Sequence, residues 1–183
     1  MTPMPAITCM SAEALSARLG EFADLLQACV HGGASVNFVL PFPGSEAEAF
    51  WRERVLPAMG AGTRTVLAAE SDGRIAGSVQ LSTETPPNQP HRADVTKLLV
   101  HPAFRRRGIG RALMLALEQE AHLRGRSLIT LDTTTGGAAE PLYAALGYIT
   151  VGVIPDFSVA TTGDRLEATT VMYKQLSGQG RAA

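Results

Sequence analysis

A short basic stretch that contains two glycines, Arg105-Arg-Arg-Gly-Ile-Gly-Arg111, follows a strand-like run and precedes a long helical pattern. The first turn of a helix carries backbone N–H groups without intrahelical partners, and the helix dipole favours negative charge there. Gly108 and Gly110 let the backbone approach a ligand closely, and four arginines add positive charge. The stretch therefore predicts an anion site of the kind that holds phosphate groups.

Two well-known phosphate loops do not fit this stretch. The P-loop pattern Gly-x-x-x-x-Gly-Lys-Ser/Thr is absent. The dinucleotide fingerprint needs a third small residue where Leu113 stands, and its loop is not normally rich in arginine. A solvated basic helix start is the structural alternative, and the preceding strand and the His101-Pro102 turn count against it.

Metal and thiol chemistry have little support elsewhere in the chain. The four histidines share no metal-ligand spacing, so no metal site is expected. Cys9 and Cys29 are the only cysteines and lack the Cys-x-x-Cys spacing of zinc or redox sites. Both fall in strand-like or helical segments, so we expect two buried thiols in a reducing cytoplasm.

The elements that must position the basic loop can be recognised from hydrophobic periodicity and turn residues. A first helix is predicted from Ser11, as its N-cap, to Gly32-Gly33, and a second from Ser45 to Pro57. A third, long helix begins at Gly108. Strand-like runs cover residues 6–10, 64–70, 74–81, 93–100, 127–131, 148–154 and 167–176.

This order predicts an α/β (α+β) fold with a mixed, mostly antiparallel sheet of six to seven strands. A parallel crossover lies near its middle, and about four helices flank it. No repeat or linker interrupts the pattern, so we expect one domain over residues 6–176 and a frayed tail over 177–183.

Composition excludes several function classes. The 183 residues include 16 Lys and Arg against 17 Asp and Glu, a net charge of −1. A general binder of nucleic acid or anionic membranes would be far more basic, so neither partner is expected. No apolar run approaches the length of a membrane span and no signal peptide is evident, which favours a cytoplasmic protein.

The basic stretch resembles motif A of the GNAT superfamily of acetyl-CoA-dependent N-acetyltransferases, Gln/Arg-x-x-Gly-x-Gly/Ala, through Arg105, Gly108 and Gly110. The segment from Glu140 to Tyr148 resembles that family's Leu-Tyr-x-x-Leu-Gly-Phe/Tyr ending. The resemblance implies the GNAT fold, acetyl-CoA as the acetyl donor, and backbone amides that hold its pyrophosphate. The cofactor-binding residues it implies are Leu98, Leu99 and Val100 at the strand edge, and Arg105, Arg106, Arg107, Gly108, Ile109, Gly110, Arg111 and Ala112 in the loop and helix.

A narrower resemblance extends to the tabtoxin-resistance branch, whose enzymes acetylate a small β-lactam amino-acid toxin. Four segments carry it: His31-Gly-Gly-Ala-Ser-Val36, Asn88 to Lys97, Leu131-Asp-Thr133 and Asp164-Arg-Leu166. This resemblance implies a small-molecule acceptor, although it does not fix which one.

Three residues become candidates for catalysis once the family is considered. Asp94 matches the acidic position of the branch, and Asp132 ends the next strand-like run, so both lie near the thioester if these strands are neighbours. One carboxylate would take a proton from the acceptor ammonium, directly or through water, and Asp132 is the second candidate for this base or an anchor for the amine. Tyr143 could protonate a leaving thiolate if the site assists it. Solvated carboxylates and a half-buried helix tyrosine are the structural alternatives.

The sequence thus predicts transfer of acetyl from acetyl-CoA to a primary amine of a small molecule. The acceptor pocket is expected from the 31–36 segment and the 156–165 loop, with His31, Gly32, Ser35 and Asp132 as substrate-binding residues. A protein N-terminal or lysine acetyltransferase and a non-catalytic acyl-CoA-binding module remain alternatives. The oligomeric state is left open, with a homodimer among the choices.

Overall fold

Seven strands form a single sheet in the computed structural model, which describes residues 5–176. The predicted frayed tail at 177–183 lies outside these residues. The spatial order is β1-β2-β3-β4-β5-β7-β6. The strands are β1 Ala6–Cys9, β2 Arg64–Ser71, β3 Arg74–Ser82, β4 Arg92–Val100, β5 Leu128–Thr134, β6 Ile149–Val159 and β7 Leu166–Gln175.

The pairing of β4 with β5 is the feature of the sheet that matters most for the site. It is the parallel pair, and all the other neighbouring strands run antiparallel. It joins only Arg92–Asp94 to Leu128–Thr130, and beyond these residues the two strands are not paired. The predicted mixed, mostly antiparallel sheet with one parallel crossover is confirmed, and the crossover strands separate partway along their length.

Within residues 5–176, six α-helices flank the sheet: α1 Ala12–Ala17, α2 Leu19–His31, α3 Gly44–Phe50, α4 Leu56–Gly60, α5 Ile109–Leu123 and α6 Glu140–Ala145. Ser11 caps α1 as predicted, because its hydroxyl accepts a hydrogen bond from the N–H of Ala14 at 3.1 Å. The first predicted helix is divided at Arg18. The second continues past Pro57, because the π-helical turn Trp51–Val55 changes the hydrogen-bond register just before this proline, which has no N–H.

Two hydrophobic cores lie on opposite faces of the sheet, because successive strand residues point to opposite sides. On the α5 face, Leu113, Met114 and Leu117 of α5 pack on alternate sheet residues. On the α2 face, Leu25 and Leu26 pack with strand residues of the opposite alternation. A fully buried leucine contributes roughly 1.5–3 kcal/mol, so these two cores hold the sheet and the helices together.

The two cysteines and the expected lack of a membrane span can be compared with the structure. Cys29 is buried as expected, and its thiol donates to the Val100 carbonyl at 3.4 Å, but Cys9 is exposed because β1 is a short edge strand. Within residues 5–176, none of the helices is both long and apolar enough to cross a membrane.

Candidate functional site

Six consecutive backbone N–H groups, those of residues 106–111, have no hydrogen-bond partner among residues 5–176. They include the first N–H groups of α5, and the first amide with a helical acceptor is that of Ala112, which bonds to the carbonyl of Gly108. Arg106 and Gly108 have positive φ angles of 61° and 78°. Alternation of left- and right-handed residues makes successive amides converge on a concave anion site. We call residues 106–111 the amide cradle.

The arginines beside the amide cradle have different environments. Arg105 donates from Nε to the Val100 carbonyl at 3.3 Å, so it ties the loop to the end of β4. The Arg107 guanidinium lies 5.2 Å from the centroid of the Phe104 ring. Arg106 and Arg111 are exposed. The cradle therefore has a positive rim in addition to its free amides.

Two of the predicted loop residues contribute backbone rather than side chain. Ile109 is buried in the core of the α5 face, so only its amide faces the cradle. Gly110 has a packing role, since a Cβ there would come within 3.2 Å of the Leu142 side chain in α6. The absence of a side chain at Gly110 therefore brings α5 close to α6.

The predicted strand-edge residues lie in the part of β4 that is not paired with β5. From Val95 onward, within the described residues, β4 pairs with β3 on one edge, whereas its other edge faces the gap left by β5. Leu99 is buried against the α2 face, and Leu98 and Val100 are half-buried. The Val100 carbonyl already accepts hydrogen bonds from Arg105 and Cys29. The other backbone groups along this edge of β4 are therefore the ones available to a ligand.

Asp94 and Asp132 lie on neighbouring strands, as the sequence argument required. Asp94 is paired with Thr130, the last match between β4 and β5, and Asp132 follows two residues later. Their neighbours Ala93, Val95, Ile129 and Leu131 belong to the core of the α5 face, so both aspartates project from the opposite, α2 face. Both line one cavity of about 440 Å³. We call it the carboxylate cavity; its lining is Arg64, Ser82, Asp94, Val95, Thr96, Thr130, Leu131, Asp132, Phe157 and Val171.

The two carboxylates differ in their partners. Oδ1 of Asp94 accepts from both the guanidinium of Arg92 and the hydroxyl of Thr130. Oδ2 of Asp132 accepts from the Thr169 hydroxyl at 3.1 Å. No Lys or Arg nitrogen of the described residues lies within 4 Å of Asp132. Asp132 is therefore a carboxylate with room for a cationic ligand, whereas Asp94 already has a guanidinium.

Tyr143 is almost fully buried in α6 and packs against Tyr148, with 5.7 Å between ring centroids. Burial raises the pKa of its phenol well above the usual value, and the nearby charge of Asp132 raises it further. The phenol therefore keeps its proton throughout the neutral range. It is a hydrogen-bond donor rather than a strong acid.

Comparison with known proteins identifies the family. The sequence model of the Acetyltransferase (GNAT) family matches residues 36–148. This chain belongs to the GNAT acetyltransferase family. It is also 31% identical over 130 residues to an uncharacterized N-acetyltransferase from the hisH-hisA intergenic region of Azospirillum brasilense, covering 68% of this chain and 74% of that protein.

Solved structures share the GNAT fold at low sequence identity. The structure of yncA from Salmonella typhimurium, solved with its cofactor acetyl-CoA, has a TM-score of 0.76 at 19% identity, covering 99% of each chain. A ribosomal-protein-alanine N-acetyltransferase from Brucella melitensis has a TM-score of 0.71 at 22% identity, covering 93% of this chain and 99% of that one. At these identities the likeness concerns the fold.

Three of the predicted substrate-binding residues do not line the carboxylate cavity of this GNAT protein. His31 donates from Nε2 to the Phe42 carbonyl at 2.9 Å and lies in a separate depression of about 790 Å³. Gly32 packs beside Arg105, the residue before the amide cradle: a Cβ at Gly32 would be 3.3 Å from the Arg105 guanidinium. Ser35 is half-buried, in the segment that follows α2. His31 and Gly32 thus contact Phe42 and Arg105, and the role of all three residues at the acceptor stays a prediction.

The two segments that were expected to enclose the acceptor do meet. The Thr161 hydroxyl donates to the Ala34 carbonyl at 3.1 Å, and the N–H of Leu40 donates to the Thr161 carbonyl at 2.8 Å. Phe157, from the predicted 156–165 loop, lies in β6 and lines the carboxylate cavity. The segment after α2 is thus joined to the turn between β6 and β7.

Sequence reasoning missed Lys97 and Arg64 as functional candidates. Lys97 stands in a bulge of β4, where Lys97 and Leu98 oppose the single residue Val79, and its φ of 52° is in the left-handed region. Such a conformation costs roughly 1–3 kcal/mol for a residue with a side chain and is concentrated at functional sites. A lone lysine in a strand-like run gives no signal of a bulge. Nothing in the single sequence could have indicated it.

The described residues contain no cluster of side chains that could bind a metal ion. Among residues 5–176, no three His, Cys, Asp or Glu side chains are grouped so that they could hold a metal ion.

Proposed function

We propose that this GNAT protein transfers the acetyl group of acetyl-CoA to the primary amine of a small, amino-acid-like molecule. The observation that carries the proposal is the position of Asp94 and Asp132, which share one cavity of about 440 Å³ at the point where β4 and β5 separate. Small-molecule sites have volumes of roughly 300–1,000 Å³, so this cavity suits a compact acceptor.

The residues present fit acetyl-CoA. The free N–H groups of the amide cradle and its arginines would hold the pyrophosphate, since a row of unpartnered amides at a helix N-terminus favours phosphate. The unpaired edge of β4 would receive the amide-bearing arm through backbone hydrogen bonds. Acetyl-CoA, when bound, supplies an activated acetyl thioester.

Asp132 is the better candidate for the base that takes the proton of the acceptor ammonium. It is exposed, lines the cavity and has a hydroxyl as its only hydrogen-bond donor among residues 5–176. Asp94 is neutralised by Arg92, which makes it a positioning group for the amine or for a water molecule. This reverses the order of preference derived from the sequence, where Asp94 came first.

Tyr143 would stabilise negative charge without giving up its proton. Its raised pKa makes full transfer to a thiolate unfavourable, because an ordinary thiol has a pKa of about 8.5. A buried phenol can still donate a short hydrogen bond to a developing negative charge, which is worth more in a desolvated site than in water.

The contact between the two segments that were expected to enclose the acceptor supports a small acceptor over a polypeptide. The two hydrogen bonds of Thr161 join the segment after α2 to the β6–β7 turn, and an extended peptide would have to separate them to pass between these segments. The four segments that resemble the tabtoxin-resistance branch support the same choice. We therefore include membership of that branch in the proposal.

The experiment is an acceptor screen of the purified protein with acetyl-CoA. Free amino acids, simple amines and peptides with N-terminal alanine are compared by thiol release, and mass spectrometry identifies the acetylated product. We expect N-acetylated small amines at a rate well above acetyl-CoA hydrolysis without acceptor. Peptides as the better substrates would contradict the small-molecule assignment, and no acetylated product from any acceptor would contradict the enzymatic one.

A further inference from the structure

Two cationic side chains share the face of the sheet that carries the catalytic carboxylates. Arg64 lines the carboxylate cavity together with Asp94 and Asp132. Its strand neighbours Val66 and Ala68 alternate onto the α2 face, as does the side chain of Arg64. Lys97 lies close to it in the sheet, because the guanidinium of Arg64 donates to Gln80 and Gln80 pairs with Thr96, the residue before Lys97. Thr96 lines the cavity, whereas Lys97 lies just outside its lining.

The bulge in β4 positions Lys97 on this face. Its Nζ lies 5.5 Å from the centroid of the Phe38 ring and 5.7 Å from that of Phe50. Both rings pack on the core of the α2 face, and Phe38 belongs to the segment after α2. The two rings stabilise a cation at this position through their π faces.

Neither cation has a carboxylate partner within 4 Å among the described residues. Arg64 donates from Nη1 to Oε1 of the fully buried Gln80 at 3.0 Å, and its Nε is buried without a partner. Gln80 therefore fixes the direction of the guanidinium without neutralising it.

The two cations are held in an unfavourable arrangement. Burial lowers the pKa of both groups, and Arg64 further lowers that of Lys97, which is about 8. Asp132 and Glu84 offset this only in part, Asp132 for Lys97 and Glu84 for Arg64. A partly buried pair of like charges gains most from an anion that binds both.

We propose that Arg64 and Lys97 bind the carboxylate of the acceptor, whereas Asp132 and Asp94 hold its amine, so that the acceptor is a zwitterionic amino acid. The inference rests on the proposed function, because it names the class of acceptor for the same cavity. The cavity then has a cationic end and an anionic end. A simple amine satisfies only the anionic end, and the amino group of a peptide carries no adjacent carboxylate.

The test compares each free amino acid with its methyl ester, which has the same amine but no carboxylate. For the wild-type protein we expect kcat/KM to favour the acid by roughly tenfold to a hundredfold, the range expected for charge-assisted hydrogen bonds. Lys97→Met keeps the aliphatic stem over the two rings and removes the charge. It should raise KM for the acid by roughly tenfold, with little change in kcat or in the kinetics of the ester.

Two more variants separate binding of the carboxylate from a structural role. Lys97→Arg should restore the preference for the acid, and Arg64→Gln should weaken it as Lys97→Met does. Arg52→Gln is the control, since Arg52 is exposed and pairs with Glu48 on a helix surface away from the cavity. A second readout avoids turnover altogether: an N-acetyl amino acid should raise the melting temperature of the wild-type protein more than its methyl ester does.

The outcomes are distinguishable. Equal use of acids and esters by the wild-type protein would overturn the carboxylate subsite and leave the small-molecule acetyltransferase intact. The same is true if Lys97→Met affects acids and esters equally, or if Lys97→Arg fails to restore the preference. If neither acids nor esters are acetylated, the proposed function fails, and the subsite fails with it.

Discussion

The amide cradle and the carboxylate cavity lie near the two ends of β4 and are built in opposite ways. The cradle is a continuous stretch of backbone, residues 106–111, whose N–H groups converge because the chain turns into a helix. The cavity is built from side chains of β2, β3, β4, β5, β6 and β7. One is local in sequence, whereas the other exists only after the sheet has formed.

This difference explains what each region can do. Backbone amides recognise any phosphate in the same way, so the cradle suits a constant partner such as a cofactor. The side chains that line the cavity come from six strands and can be substituted independently of one another, so the cavity can determine which acceptor is used. The following changes test that division, in order of decreasing expected effect.

The largest effect is expected from the carboxylates. Asp132→Asn should lower kcat/KM for the acceptor by roughly a hundredfold or more, because the proton of the ammonium loses its base. Asp94→Asn should have a smaller effect, since Arg92 already neutralises that group. Steady-state kinetics over a range of acceptor concentrations measure both. A larger loss with Asp94→Asn would restore Asp94 as the base.

The next effect concerns the cradle. Gly108→Val should weaken acetyl-CoA binding by roughly a hundredfold, because a β-branched residue is strained at a φ of 78° and the amides would no longer converge. The thermal shift produced by acetyl-CoA measures it. Gly62→Val is the matched control, as Gly62 has a φ of 72° and equally open surroundings. If both variants keep the shift, the cradle does not hold the cofactor.

A smaller effect is expected from Tyr143. Tyr143→Phe should lower kcat by about tenfold and leave acetyl-CoA affinity nearly unchanged, since only a hydrogen bond to developing charge is lost. Pre-steady-state measurement of thiol release reports the rate of acetyl transfer, and a thermal-shift titration with acetyl-CoA reports the affinity for the cofactor. Loss of cofactor affinity with unchanged kcat would assign the hydroxyl to binding.

The smallest effect is a dependence on pH. Burial, with the charge of Arg64, lowers the pKa of Lys97 to about 8, so its positive charge is present below this pH and lost above it. KM for an amino acid should therefore rise several-fold as the pH increases through about 8, because the carboxylate loses a cation. The comparison is made against Lys97→Arg, whose guanidinium stays charged. The same rise in that variant would exclude Lys97 as its cause.

Much of the fold was accessible from the sequence because its signals are local. Strand and helix periodicities and the Ser11 cap predicted the order of elements along the chain, and the predicted mixed sheet is confirmed. The break at Arg18 and the continuation of a helix through Pro57 were not predicted. The break depends on how the helices pack against the sheet, and the continuation depends on a π-helical turn. Hydrophobic spacing gives no signal of either.

The candidate site was only partly accessible. The cradle could be recognised because its residues are consecutive, and the aspartates because each lies at a recognisable point of a strand. The roles of these residues stay predictions, as do the homodimer and the cytoplasmic location. His31 and Gly32 were predicted to bind the acceptor because of their loop; they contact Phe42 and Arg105, which are distant in sequence, and do not line the carboxylate cavity. Lys97 was missed because a bulge depends on strand register.

The most direct measurement is a crystal structure of the protein with coenzyme A and a free amino acid. We expect pyrophosphate oxygens within about 3.2 Å of the amides of residues 106–111. We also expect the amine of the amino acid beside Asp132 and its carboxylate between Arg64 and Lys97. Pyrophosphate bound away from the cradle would contradict the cofactor assignment, and an amino acid bound outside the carboxylate cavity would contradict the account of the acceptor.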